Sequence, residues 1–347
     1  MEVLLQQIIN GLVLGSMYAL VALGYTMVYG IIGLINFAHG DVLMVGALTS
    51  WSIIITMQEG MPGTPGWVML VLAIIIAMVV CSVLNFTIEK LAYRPLRNSP
   101  RLAPLITAIG MSLLLQTFAM IIWKPNPKSY PSVLSREPFE IGGAVISVTQ
   151  VFILAATAVT LAVLMYIVNR TKLGRAMRAT AENPRVAGLM GIKPDVVISA
   201  TFVIGAMLAA LAGVMWAANY GTVQHSMGFM PGLKAFTAAV FGGIGNLGGA
   251  VVGGIALGTL LALAWPVGLA ACATWAVTAA ITRISSLSAL VAAALASAVS
   301  KTSKCSSRRA AAMLRRVKSS SSTTSTLMFT VSVCPATTPD DYSDTHE

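Results

Sequence analysis

Residues 35–41 read Ile-Asn-Phe-Ala-His-Gly-Asp between two long apolar stretches. Asn36, His39 and Asp41 are side-chain types that relay protons, hold ions or hydrogen-bond a passing solute, and each is costly beside hydrocarbon. They should therefore face protein, water or a translocation pathway. His39 and Asp41 stand two apart and cannot share a helix face. That favours a turn or a broken helix whose backbone amides are available to a ligand. A plainer alternative has Asp41 capping the helix that follows and His39 packing in the turn. Two such ligands do not close a coordination shell, so no metal site is expected.

Other chemistry is weakly signalled. The chain has no G-x-x-x-x-G-K-[ST] loop to cradle phosphates, so any ATP must be hydrolysed by another polypeptide. His39, His225 and His346 are far apart and suggest no hydrolytic triad. Cys81, Cys272, Cys305 and Cys334 form no CxxC pair. No catalytic residue, enzymatic activity or cofactor is expected.

The segment 170–193 is more informative. It contains Glu182-Asn-Pro-Arg-Val-Ala-Gly-Leu-Met-Gly-Ile192. Asn183 before Pro184 suits a helix start, since Asn caps free N–H groups and proline is tolerated at the first helical position. The pattern predicts a short helix over 184–190, ended by Gly191, with Ala187 and Gly188 forming a small-residue surface on which another protein can sit. The competing reading is a solvated loop whose cations only fix topology. A third feature is glycine spacing. Gly245, Gly249 and Gly253 repeat every four residues, as do Gly11 and Gly15, a pattern that lets a neighbouring helix approach closely. The paired glycines at 242, 248 and 253 would also loosen a helix, giving an unwound segment along a cavity as the alternative.

These residues are embedded in a chain that is 56% hydrophobic and 10% charged, against about 25% charged in a soluble domain. Residues 3–35, 42–57, 67–88, 102–123, 148–168, 196–218 and 236–260 are candidate spans, since about 20 apolar residues cross the hydrocarbon. The expected fold is an all-α polytopic transmembrane bundle of seven or eight spans with glycine-rich broken helices, lodged in the lipid bilayer. The net charge of +10 comes from cations in short runs between spans, which is membrane topology and not nucleic-acid binding. Residues 90–101 and 170–193 carry ten Lys and Arg against three in the alternating loops. The ten-cation set therefore lies inside, the N-terminus outside, and residues 36–41 at or near the cytoplasmic face.

Composition changes near Leu260. Residues 261–347 hold a single glycine, Gly268, but 26 Ser/Thr and 18 Ala. The expected division is a transmembrane domain over 1–260 and an atypical Ala/Ser/Thr-rich tail over 261–347, with a last span within 261–299 and disordered sequence beyond. The tail reads either as a basic lipid or partner contact or as a shifted reading frame or unselected sequence, and its lack of caps and sustained periodicity favours the latter.

Several motifs in order resemble the branched-chain amino-acid permease family of ATP-binding-cassette importers. They are Asn10-Gly-Leu-Val-Leu-Gly-Ser-Met-Tyr-Ala-Leu20, Gly33-Leu-Ile-Asn-Phe-Ala-His-Gly-Asp41, Tyr93-Arg-Pro-Leu-Arg97, Glu182-Asn183 with Ala187-Gly-Leu-Met-Gly-Ile192, and Phe241-Gly-Gly-Ile-Gly-Asn-Leu-Gly-Gly-Ala250. The resemblance covers about residues 1–260. It implies a permease subunit importing leucine, isoleucine or valine across a bacterial inner membrane, with a second permease subunit, two ATP-binding subunits and a periplasmic amino-acid-binding protein. It implies further that Glu182 to Ile192, including Asn183, Ala187, Gly188 and Gly191, couples to the ATPase, and that Asn36, Phe37, His39, Gly40 and Asp41 lie near the translocation route. From the residues alone, the rival readings are a stand-alone secondary transporter or channel for a small solute, or a packing scaffold without transport.

Overall fold

The computed structural model describes residues 2–264 apart from 34–35, 62, 98, 100–101, 134–137 and 142–143, and the expectations for the tail beyond 264 lie outside the described residues. The chain runs α1 (Glu2–Ile32), α2 (His39–Gly60), α3 (Gly66–Ile88) continued by a π-turn (Glu89–Tyr93), α4 (Leu102–Trp123), strands β1 (Lys128–Ser129), β2 (Pro138–Ile141) and β3 (Ala144–Ser147), then α5 (Val148–Arg170), α6 (Lys172–Glu182), α7 (Pro184–Leu189), α8 (Pro194–Tyr220), β4 (Thr222–Val223), α9 (Phe229–Phe241) and α10 (Leu247–Ala264). Six of these helices, α1 to α5 and α8, are long and apolar enough to cross a membrane. Helices α1, α2 and α8 form the buried centre. Side chains such as Val71, Val83, Leu113, Ile121 and Val163 leave an apolar outer surface on α3, α4 and α5, as expected where lipid replaces water.

Contacts between distant segments group alternate loops on common sides, as the alternation of cations requires. Gln6, at the start of α1, exchanges two hydrogen bonds with the backbone of Val145 (2.8 and 3.1 Å). β1 pairs antiparallel with β4, joining two low-charge loops. On the opposite side Arg94 and Arg97 both reach Asp195. Beside the middle of α2, Tyr130 is buried and donates to Ser50 (3.3 Å), and burial pushes its phenol up to about 12.

Two expectations need correction. The span expected over 236–260 is two helices. α9, with 13 residues, is about 20 Å long and too short to cross. The chain reverses at 242–246, where Gly243 and Gly245 have φ of +88° and +92°, conformations that exclude most side chains. α10 then runs back antiparallel to α1. Second, His39 and Asp41 are not in a turn, because α2 begins at His39 and the described turn before it is residues 36–38. Asp41 lies within the first turn of α2 but is not its cap: the cap position is Ala38 and no side-chain cap bond forms.

The glycines divide by what they meet. A Cβ at Gly11 or Gly15 would fall 2.7 Å from the α10 backbone at Thr259 or Ile255, so the α1–α10 crossing tolerates only glycine there. On α10 the glycines that meet α1 are Gly254 and Gly258. Gly249 and Gly253 instead press on the end of α9, at Gly242 and Ala238, and Gly245 belongs to the reversal. The four-residue repeat is thus spread over a turn and one helix face.

Candidate functional site

Two places concentrate polar and exposed residues of functional type. The first is inside the bundle. Asn36, His39 and Asp41 are at most 3% exposed. His39 enters a slot between Gly24 of α1 and Gly205 of α8, where a side chain at Gly24 would collide with its ring. Tyr25 lies edge-on to it at 4.8 Å. Gly40 is in close contact with Gly228 and Gly232 of α9, leaving no space for a Cβ. Asp41 accepts from Gln116 of α4 (3.0 Å), and Asn36 accepts from Tyr93 of the π-turn (2.8 Å). Phe37 stacks at a tilt on Phe236 of α9. The five residues of this run therefore reach α1, α4, α8, α9 and the π-turn.

Several polar atoms here have no hydrogen-bond partner among the described residues: Asn36 Nδ2, both ring nitrogens of His39, Asp41 Oδ2 and Thr26 Oγ1. Buried polar atoms are normally paired, and an unpaired one costs about 1–3 kcal/mol.

The second place is the α6–α7 corner. Thr171 caps α6 by accepting from Gly174 N, and Met177 and Thr180 anchor that helix in the protein. Asn183 ends α6 and starts α7, its Oδ1 accepting from the N–H groups of Arg185 (3.0 Å) and Val186 (3.2 Å). At the other end Ile192 N–H returns to Ala187 O and Gly191 N–H to Gly188 O, both at 3.1 Å, with Gly191 at φ +83°. These two bonds with a left-handed glycine form a Schellman stop. α7 is thus fixed at both ends.

The outward face of α7 differs from the one expected. Ala187 is buried, whereas Gly188 is exposed with nothing near it. Val186, Leu189 and Met190 point outward at 51%, 87% and 79% exposure. Glu182 is exposed at the end of α6.

A charged cluster ties this corner to the bundle. Asp195, in the first turn of α8, meets Arg94 (2.6 Å) and Arg97 (2.5 Å). Arg97 also pairs with Glu89, which is 1% exposed and accepts from Ser199 (2.8 Å). Sequence reasoning treated these cations only as topology markers and missed the cluster. The available signal was a carboxylate, Glu89, at the end of an apolar span and followed by two arginines.

Six membrane-length helices around a buried polar turn, with a rigid apolar-faced corner on the cation-rich side, define a polytopic membrane transport protein. The chain belongs to the family described as branched-chain amino acid transport system / permease component, which it matches over residues 7–295. The high-affinity branched-chain amino acid transport system permease protein BraD of Pseudomonas aeruginosa is 45% identical over 259 residues, 73% of this chain and 84% of the relative. LivH of Escherichia coli K12, described in the same words, is 45% identical over 264 residues, 75% and 85% of the two chains. The autoinducer 2 import system permease protein LsrC of Escherichia coli O9:H4 is 31% identical over 101 residues, 28% of this chain and 30% of the relative. No solved structure matches.

Proposed function

We propose that this chain forms the translocation pathway of an ATP-driven inner-membrane importer for leucine, isoleucine and valine, that it is not itself an enzyme, and that α7 is where separate ATPase subunits push. The complete importer has a second permease subunit, two ATP-binding subunits and a periplasmic amino-acid-binding protein. In this reading residues 1–260 are the transmembrane domain and residues 261–347 an atypical Ala/Ser/Thr-rich tail, whose first part, to about residue 299, supplies a last span; the family match reaching residue 295 supports that span.

The observation that carries the coupling role is the outward trio Val186, Leu189 and Met190, held on a six-residue helix capped at both ends. Large apolar side chains on a charged, water-facing corner favour burial by a partner. The rigid caps let a push on α7 move α6 and α8 as well. The buried Asn36–Asp41 run supports the pathway role, since its polar groups are isolated from lipid by five neighbouring segments. Leucine, isoleucine and valine differ little, so selectivity is left to the binding protein.

The test is co-purification with the ATPase subunits followed by transport in vesicles. Leu189→Glu should release the ATPase subunits or abolish uptake while the permease still inserts. Uphill solute accumulation by the chain alone, without any ATPase, would establish a secondary transporter in its place.

A further inference from the structure

α9 is packed on one side only. Pro231, Gly232, Ala235, Ala238 and Ala239 are buried, with Gly232 against Gly40 of α2 and Ala238 against Gly253 of α10. On the other side Phe229, Met230 and Val240 are exposed, and Leu233, Lys234 and Thr237 are half-buried. The helix is entered through irregular chain. β4 lies beside the middle of α2, because its partner strand β1 ends at Ser129, whose carbonyl accepts from Trp51 (2.9 Å). Gly228 lies against Gly40 and Met44, near the start of α2. From Trp51 back to Met44 or Gly40 is about 10–16 Å of helix, and residues 224–228 descend that far without forming helix or strand.

Non-helical backbone at membrane depth is tolerated only where protein or water meets its polar groups. Among the described residues, 224–227 donates one backbone hydrogen bond, Met227 N–H to Gln224 O (3.2 Å), and His225 Nδ1 is enclosed without a partner. Gln224 and Ser226 are exposed. These groups call for water, not lipid.

Lys234 makes the same demand. Its neighbours on α9 fix its depth: Gly232 lies against the Tyr25 hydroxyl, and Phe236 packs on Tyr25 and Phe37. Tyr25 is about 10 Å of helix from the end of α1 at Ile32. A lysine facing hydrocarbon there is costly. Lys234 is in no ion pair among the described residues, and no Asp or Glu occurs between Asp195 and Asp340. The carboxylates within the spans are held elsewhere, Asp41 by Gln116 and Glu89 by Arg97 and Ser199. The counter-charge of Lys234 therefore comes from outside the chain.

We propose that residues 224–228 and the open face of α9 form one wall of a water-filled approach entered from the β1–β4 side, and that the Lys234 ammonium on this wall is a contact for the anionic group of a solute. The cation count places that side outside. A single positive charge on an otherwise neutral wall attracts a carboxylate and repels cations. The contact stands whichever solute is carried; for the substrates proposed above the group is the α-carboxylate.

The experiment uses the complete importer in proteoliposomes, with Cys81, Cys272, Cys305 and Cys334 replaced by alanine and Ser226→Cys, Met230→Cys or Val163→Cys introduced singly. Modification rates are measured with an anionic and a cationic methanethiosulfonate, each relative to its rate with free mercaptoethanol. Ser226→Cys and Met230→Cys should react, and Val163→Cys, on the outward face of α5, should not. Met230 is one turn from Lys234, so at Met230→Cys the anionic reagent should be favoured roughly tenfold. Lys234→Met should bring that ratio to within about twofold of unity, and Lys234→Arg should keep it. Should Lys234→Met fail to insert, salt decides. With Lys234 in place the preference should fall several-fold between about 0.01 and 1 M salt, and a preference indifferent to salt overturns the contact. Unreactive Ser226→Cys and Met230→Cys, which would mean that lipid or protein covers this face, overturn the proposal. So do equal rates for the two reagents at Met230→Cys, and both results leave the transport function standing. Vesicles that show the anion preference but take up no branched-chain amino acid support the contact and overturn the proposed substrates alone.

Discussion

Tyr93 donates its hydroxyl to the side-chain oxygen of Asn36 across 2.8 Å, joining the π-turn that ends α3 to the turn that precedes α2. The same π-turn begins with Glu89, which Arg97 and Ser199 hold, and Arg97 reaches Asp195 a few residues after α7. Side-chain bonds at its two ends and the π-turn backbone from Glu89 to Tyr93 between them therefore connect the charged cluster to the turn at Asn36. π-Turns within helices are uncommon and recur at functional positions. This one sits where the two sites meet.

Tyr93→Phe removes only the hydroxyl and leaves Asn36 Oδ1 buried without its donor. The expected cost is about 1–3 kcal/mol, read as a lower unfolding midpoint in detergent. An unchanged midpoint would mean that water reaches Asn36 and that the two turns are not held together by this bond.

The charged cluster should respond unequally. Asp195 is half exposed, with a side-chain exposure of 52%, so Asp195→Asn should cost under about 1 kcal/mol. Glu89 is buried, and Glu89→Gln strips Arg97 of its inner partner. That cost should be on the order of 2–3 kcal/mol, below that of breaking a fully buried pair because Asp195 still faces Arg97. Denaturation of the two variants side by side checks the order, and equal losses would show that water screens Glu89.

Glycines should likewise separate by environment. A Cβ at Gly258 would strike the backbone of Gly15, so Gly258→Val should destabilise by about 1–3 kcal/mol or prevent the α1–α10 pair from forming. Gly188 has open space around it, and Gly188→Ala should be neutral or stabilise α7 by up to about 1 kcal/mol. Thermal unfolding of both variants gives the comparison.

The long spans, the grouping of alternate loops on one side and the capped helix after Asn183 were legible because hydropathy, cation counts and capping chemistry are local. The α9–α10 reversal was not. Residues 242–246 are short and flanked by apolar sequence on both sides, so a continuous span and a hairpin have the same hydropathy. Nor could spacing select Gly254 and Gly258 over Gly249 and Gly253 for the α1 crossing, because neighbouring registers carry the same four-residue repeat and only the position of α1 distinguishes them. Ala187 was assigned outward because small residues suit an interface, but packing of α7 on its own chain turns it inward and exposes Leu189. Within the charged cluster Glu89 and Arg97 are local, but Asp195 is 98 positions from Arg97, a distance over which a single sequence carries no pairing signal.

Gly191 tests whether the rigidity of α7 matters independently of its surface. At φ +83° a residue with a Cβ is strained by about 1–2 kcal/mol, so Gly191→Ala should loosen the helix end without touching Val186, Leu189 or Met190. Asn183→Ala removes the opposite cap and should cost about 1 kcal/mol. If force passes through a stiff α7, each variant should still bind the ATPase subunits yet transport less leucine per ATP, and the double variant should lose more than either alone. Binding and transport falling together would assign α7 to docking only, whereas full transport by the double variant would remove stiffness from the mechanism. Gly191→Asn supplies the internal control, because Asn tolerates the left-handed region better than Ala and should recover part of the coupling.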